Sequence, residues 1–115
     1  MIHEDLIIDT TTAQTLTNKT LNTVKGIRLN VVTKVADYTA TVNDVVILVD
    51  ATSIAITITL PAANNAGLAL HIKKIDSSVN AVTVSRAGTD DIEGATTVTL
   101  ATQYASQTLY ANGGS

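Results

Sequence analysis

The sequence has no cysteine, no tryptophan and no phenylalanine; it carries one proline and three tyrosines. Without thiols there is neither a disulfide framework nor a thiolate metal site. Without large rings, the core of a 115-residue chain has to be built from Val, Ile, Leu and Ala, which bury less surface per side chain than aromatics do. A 12.0 kDa domain on such a core is marginal as a monomer, and association is the usual remedy where disulfides and metals are missing. Positive charge is also sparse. The formal net charge is −3 and the densest basic cluster is Lys73-Lys74, which speaks against nucleic acid as a partner. No apolar run approaches the ~18 residues that a membrane-spanning helix requires, so no membrane insertion is expected. Met1-Ile2-His3-Glu4-Asp5 is acidic where a secretory signal is basic, and export through such a signal is not expected either.

What the sequence has in abundance is threonine, with twenty residues, many at alternating positions. The branched Cβ of threonine packs well on a pleated surface and suits helices poorly, so the chain reads as nearly all β. Residues 45–61 look like the organising stretch. Val45-Val46-Ile47-Leu48-Val49 is a continuous aliphatic run, as in a strand covered on both faces. After a polar turn, Ile54, Ile56, Ile58 and Leu60 alternate with Ala55, Thr57 and Thr59, placing one face on a core and a threonine face outward. Pro61 ends the pairing because it has no N–H to donate. Together the two strands read as a hairpin.

Residues 1–36 differ from the remainder. Leu6-Ile7-Ile8 is a short apolar patch, and the following polar tract to Asn22 offers only Leu16 and Leu21 for burial. Ile27, Leu29 and Val31 then alternate as a strand would. The segment is either a frayed arm with one strand or a docking arm or shaft wound with copies of itself. From Asp37 to the end, turns recur at intervals of about 8–12 residues, the rhythm of a sandwich or barrel. The strands fall at residues 38–42, 45–49, 54–60 and 68–73, then around Val82 and Val84, at 97–100 and at 108–111. Asp50-Ala51-Thr52-Ser53-Ile54-Ala55-Ile56-Thr57-Ile58 echoes Asp76-Ser77-Ser78-Val79-Asn80-Ala81-Val82-Thr83-Val84 at an offset of 26. Each is an Asp-led turn entering an alternating strand, and the echo suggests a meander of similar units. So many strands with few edge charges call for cover by sister subunits.

No constellation points to catalysis. His3, beside Glu4 and Asp5, lies in a polar terminus, and three consecutive residues rarely converge on one ion. His71 falls on the polar face of its strand with no nucleophile or carboxylate placed to form a triad. Asp90-Asp91-Ile92-Glu93-Gly94 is the densest acidic cluster, yet it lacks the spacing of a calcium loop and reads as a solvated turn. Gly113-Gly114 has no following helix to make a phosphate loop. Ser53, Ser77, Ser78, Ser85 and Ser106 have no nucleophile-elbow context. No catalytic, cofactor-binding or metal-ligating residues are assigned, and no enzyme is expected.

Several phrases, taken together, carry a likeness. They are Asp37-Tyr38-Thr39-Ala40-Thr41, Asp44-Val45-Val46-Ile47-Leu48-Val49-Asp50, Ile56-Thr57-Ile58-Thr59-Leu60-Pro61-Ala62-Ala63 and Ile72-Lys73-Lys74-Ile75-Asp76-Ser77-Ser78. Asn80-Ala81-Val82-Thr83-Val84, Asp91-Ile92-Glu93-Gly94-Ala95-Thr96-Thr97-Val98-Thr99-Leu100 and Gln103-Tyr104-Ala105-Ser106 with Leu109 complete them. The segment resembles a β module of tailed-bacteriophage virion proteins, the trimeric tail-fibre, head-fibre and decoration proteins. In the arm, Thr15-Leu16-Thr17-Asn18-Lys19-Thr20-Leu21 is similar to a phrase of phage fibre proteins. Such modules usually continue beyond an Asn-Gly turn into an aromatic-containing last strand, where this sequence has Asn112-Gly113-Gly114-Ser115. Either the sequence is truncated there or a partner supplies the missing edge.

The resemblance implies a non-enzymatic virion protein, assembled in the host bacterial cytoplasm and incorporated into the particle. The expected fold is all-β: a small antiparallel β-sandwich or barrel over residues 37–115, with a largely extended arm over residues 1–36, assembled as a homotrimer. The arm is expected to dock to capsid, neck or tail proteins. The alternative is a carbohydrate- or receptor-binding adhesion module that takes a host surface glycan on an exposed ring, for which only Tyr38, Tyr104 and Tyr110 are available, with Tyr38 and Tyr104 expected to pack at strand ends.

Overall fold

A computed structural model describes Thr11 and residues 13–114. His3 and the Leu6-Ile7-Ile8 patch lie outside the described residues. All regular structure in the described part is β, in eight strands. They are β1 (Val31–Lys34), β2 (Tyr38–Thr39), β3 (Val46–Val49), β4 (Ile56–Thr59), β5 (Ala69–Lys74), β6 (Val82–Ser85), β7 (Thr97–Leu100) and β8 (Ser106–Tyr110). Among these residues no helix is long and apolar enough to cross a membrane.

The first six strands alternate between two sheets; β7 stays beside β6 and β8 returns to the other sheet. The first sheet runs β1-β3-β5-β8 and the second β2-β4-β6-β7. The pairs β1–β3, β3–β5, β2–β4 and β4–β6 are all parallel, and only β5–β8 and β6–β7 are antiparallel. The antiparallel sandwich or barrel expected from the sequence is therefore corrected to two mixed sheets, wound as coils and closed by a reversal. A parallel neighbour has to be reached by a crossover, and here each crossover passes through the opposite sheet.

The expected hairpin at residues 45–61 is corrected by the same topology. β3 and β4 lie in different sheets, and residues 50–55 form a corner between them. β3 instead pairs with β5 (Ile47↔Ile72), and β4 with β6 (Ile56↔Val82, Ile58↔Val84). The sequence echo at an offset of 26 is this second pairing, one coil stacked on the next, and not a meander.

Alternation along each strand decides what is inside. Ile47, Val49, Leu70 and Ile72 of the first sheet meet Ile56, Ile58, Val82, Val84 and Leu100 of the second in one buried cluster, with Ala40, Ala51 and Ile92 contributed by the corners. The face assigned to Ile56 and Ile58 is the core face. Ile54 is not part of it: the side chain is 51% exposed at the corner, before the strand begins. Nor is β3 covered on both faces, since Val46 and Leu48 on its outer side are half-buried.

The outer face of the second sheet carries hydroxyls in register. One row runs Thr39↔Thr59↔Ser85↔Thr97 and the next Thr57↔Thr83↔Thr99. Residues 13–30, before β1, form no strand. Ile27 and Leu29, expected in a strand, are 68% and 49% exposed outside one. The molecule measures 64 × 29 × 23 Å.

Candidate functional site

Two corners hold charged groups inside the fold. At one, Lys74 takes a core position: it follows Leu70 and Ile72 on the inward side of β5 and is fully buried. Its Nζ lies 2.5 Å from Asp76 Oδ2. Asp76 Oδ1 accepts the Ala51 N–H at 2.7 Å, and Oδ2 accepts the Ser78 N–H at 3.1 Å. The Ser78 hydroxyl sits between the Asp76 carboxylate and the Ala51 carbonyl, while Asn80 Nδ2 donates to that carbonyl at 2.8 Å. Burial by itself would raise the Asp76 carboxyl, but Lys74, the Ser78 hydroxyl and the two N–H groups outweigh it and hold Asp76 well below the carboxylate range. Every buried polar side-chain atom described has a partner. The network pins the corner at residues 75–81 to the corner at 50–55, so it ties successive coils.

A smaller set joins the end of β1, β2 and the turn before β3. Tyr38 donates its hydroxyl to Asp44 Oδ2 at 2.7 Å, the Thr41 N–H donates to the same oxygen at 2.8 Å, and Lys34 Nζ stands 3.9 Å from the Tyr38 ring centre. Burial opposes the Asp44 charge, yet the Thr41 and Tyr38 hydrogen bonds and the Lys34 charge keep its carboxyl below its ordinary value. The hydrogen bond to Asp44, with burial and the adjacent negative charge, raises the Tyr38 hydroxyl.

A cleft of about 310 Å³ with room for another molecule lies where the end of β4, the loop after β6 and β8 approach one another. That is the small end of the ~300–1,000 Å³ typical of ligand clefts. Leu60, Leu68, Leu70, Ile92 and Leu109 give it an apolar floor, and Arg86, Asp90, Asp91 and Glu93 stand at its rim with Tyr110. The walls are fixed by main-chain bonds. Ala63 N–H donates to Asp90 Oδ2 at 2.8 Å, Gly67 N–H to the Ala111 carbonyl at 2.9 Å, and Gly113 N–H to the Ala63 carbonyl at 2.8 Å. Gly113 has φ +89°, and a Cβ there would stand 3.0 Å from the Ala66 methyl, so this close approach requires glycine.

The acidic stretch is thereby placed at a cleft mouth, but its carboxylates do not converge. Asp90 is committed to Ala63, Asp91 stands 3.7 Å from Arg86 Nη1, and Glu93 occupies a two-residue turn between the bridged Ile92 and Ala95. No group of three metal-ligating side chains occurs among the described residues. His71 lies on the outer face of the first sheet, its Nδ1 3.0 Å from Thr108 Oγ1. Of the tyrosines, Tyr38 packs on the core. Tyr104, expected to pack at a strand end, is 63% exposed, and Tyr110 is 73% exposed.

Two elements escaped the sequence reading. Lys74 carried a usable signal, a lysine at the inward parity of Leu70 and Ile72 with an aspartate two residues on. The cleft carried none, because its walls come from four separate segments. No protein-family model matches the chain, and neither the curated proteins nor the solved structures give a match.

Proposed function

We propose that the chain is a non-enzymatic structural protein of a tailed-bacteriophage virion, a homotrimeric fibre or decoration component that docks through its N-terminal arm. The observation that carries this reading is surface left without a partner. Leu21, Val24, Ile27, Leu29 and Val31 are 64%, 47%, 68%, 49% and 53% exposed along one extended segment. The chain exposes 8094 Å², whereas a compact 12.0 kDa monomer exposes about 6,000 Å². A run of exposed aliphatic side chains of this kind is the surface that an interface covers. The residues described above serve packing and coil-to-coil ties, in keeping with a mechanical role.

Light scattering on the eluted protein should give three times 12.0 kDa, and a monomer at micromolar concentration would refute the assembly. Mass spectrometry of the particles encoded by the same genome should recover the chain. Its presence in infected cells but absence from purified particles would refute the virion role.

A second reading, adhesion to a host glycan, is favoured by Tyr110 standing exposed at the rim of the cleft. An exposed ring beside carboxylates and an arginine is suited to stack on a sugar and bond its hydroxyls. On a glycan array, binding lost in Tyr110→Ala would support it, and an array without a binder sets it aside.

A further inference from the structure

The arm and the cleft are complementary in charge as well as polarity. From Thr11 to Ala36 the sequence has four basic residues, Lys19, Lys25, Arg28 and Lys34, and no acidic one. From Asp37 onward the balance reverses, with seven acidic residues against three basic. Three of those seven, Asp90, Asp91 and Glu93, stand at the mouth of the apolar cleft. The arm therefore presents exposed aliphatic side chains flanked by cations, and the body presents an aliphatic floor rimmed by three carboxylates and one cation, Arg86, a net negative mouth.

Resting on the reading that the chain assembles with copies of itself, we propose that the cleft is the receptor for the N-terminal arm of a second copy. Leu21, Val24 and Ile27 supply the apolar side chains that enter it, and Lys19, Lys25 and Arg28 lie against Asp91 and Glu93. The reach suffices: the residues from Leu16 to Val31 span about 50 Å when extended, against a body 29 × 23 Å in cross-section. The exchange is heterologous, each copy giving an arm and receiving one, and such contacts close into a ring when the rotation permits. The cleft volume of about 310 Å³ takes a few aliphatic side chains and not a folded element. Asp90, already bonded to the Ala63 N–H, holds the wall, while Glu93 and Asp91, the latter 3.7 Å from Arg86 Nη1 in an exposed pair, face solvent and meet the cations.

Charge reversal in the full-length chain tests this by sedimentation equilibrium at low salt. Lys19→Glu/Lys25→Glu/Arg28→Glu should weaken assembly about tenfold or more, from a few surface ion pairs turned repulsive. Asp91→Lys/Glu93→Lys should weaken it comparably, and one chain carrying both sets should regain it. Thermal melts by circular dichroism verify that each variant folds; the cleft pair is exposed and on a loop, so both substitutions are compatible with the fold. If the cleft pair leaves assembly intact while the arm set breaks it, the arm docks elsewhere: this inference falls and the assembly reading stands. A double-set chain that folds yet stays dissociated overturns it as well. A wild-type monomer overturns both.

Discussion

Replacing Lys74 with methionine keeps most of the side-chain volume and removes the cation from a position with no exposure to solvent. Asp76 then loses the Nζ at 2.5 Å and keeps the Ala51 and Ser78 N–H groups. Breaking a buried pair by deleting one partner costs about 3–5 kcal/mol, because a charge is left behind without compensation. The surviving donors place this case at the lower end, about 3 kcal/mol. Against a total stability of about 5–15 kcal/mol, the variant should fold at 25 °C but melt about 12–24 °C lower. Urea titration followed by circular dichroism measures the loss.

The pH dependence identifies its cause. In the native protein the Asp76 carboxyl is depressed below its ordinary 3.8, so its contribution is fully present above that value and is lost as pH falls through the folded value. The Lys74→Met variant lacks the cation that depresses it, so the gap between the two proteins should narrow as pH is lowered from 7 toward 3. Lys74→Met/Asp76→Asn, which retains an acceptor for Ala51 and carries no charge, should recover much of the loss. A deficit under 1 kcal/mol at pH 7, or one unchanged down to pH 3, would show that the buried charge is not what the lysine compensates.

Other outcomes can be checked on the same instruments. Ile58→Asp should prevent folding, since an unpaired charge in the core costs several kcal/mol, whereas Ile58→Ala should cost about 2–5 kcal/mol and remain folded; a native-size assembly from Ile58→Asp would remove that face from the core. At the turn Ile92-Glu93-Gly94-Ala95, φ is +51° at Glu93 and +84° at Gly94, the pattern for which Asn-Gly is preferred. Glu93→Asn should therefore stabilise by about 0.5–1 kcal/mol, read as a higher urea midpoint with an unchanged slope. Thr57→Glu/Thr59→Glu should leave the melting of the isolated chain nearly unchanged and weaken assembly if the threonine face meets a sister chain; an unaltered mass by light scattering would exclude that face from the interface.

Strand positions were the most legible part of the fold. Period-two alternation marks β4 and β5, and Thr97–Leu100 is a strand as expected. Pairing partners were less legible, because alternation states which side chains point inward and not which strand lies alongside. A short polar corner such as residues 50–55 reads like a hairpin turn, although its chain passes to the opposite sheet. The one sequence sign of parallel coils was the echo between Asp50 and Asp76, which turn chemistry alone would also produce. Of the candidate site, the acidic stretch at Asp90 was visible, but Leu60, Leu70 and Leu109, which make it the rim of a cleft, come together only through β5 pairing with β8.

The reversal at the end of the stack bears on how such a body changes length. β7 and β8 turn back on β6 and β5, so the antiparallel pairs terminate the coils on that side. The coils beneath differ in length, with β3 and β5 offset by 25 residues (Val46↔His71) and β4 and β6 by 26 (Ile56↔Val82), against 15 between β1 and β3 (Val31↔Val46) and 20 between β2 and β4 (Tyr38↔Ile58), and stacked coils of this kind pair with their neighbours. Gain or loss of one coil between β4 and β5 would change the stack by one strand spacing, about 4.8 Å, and leave the terminating pair intact. Length is then a quantity that duplication can vary in single steps, while the outer end, with its cleft and exposed tyrosines, stays the same.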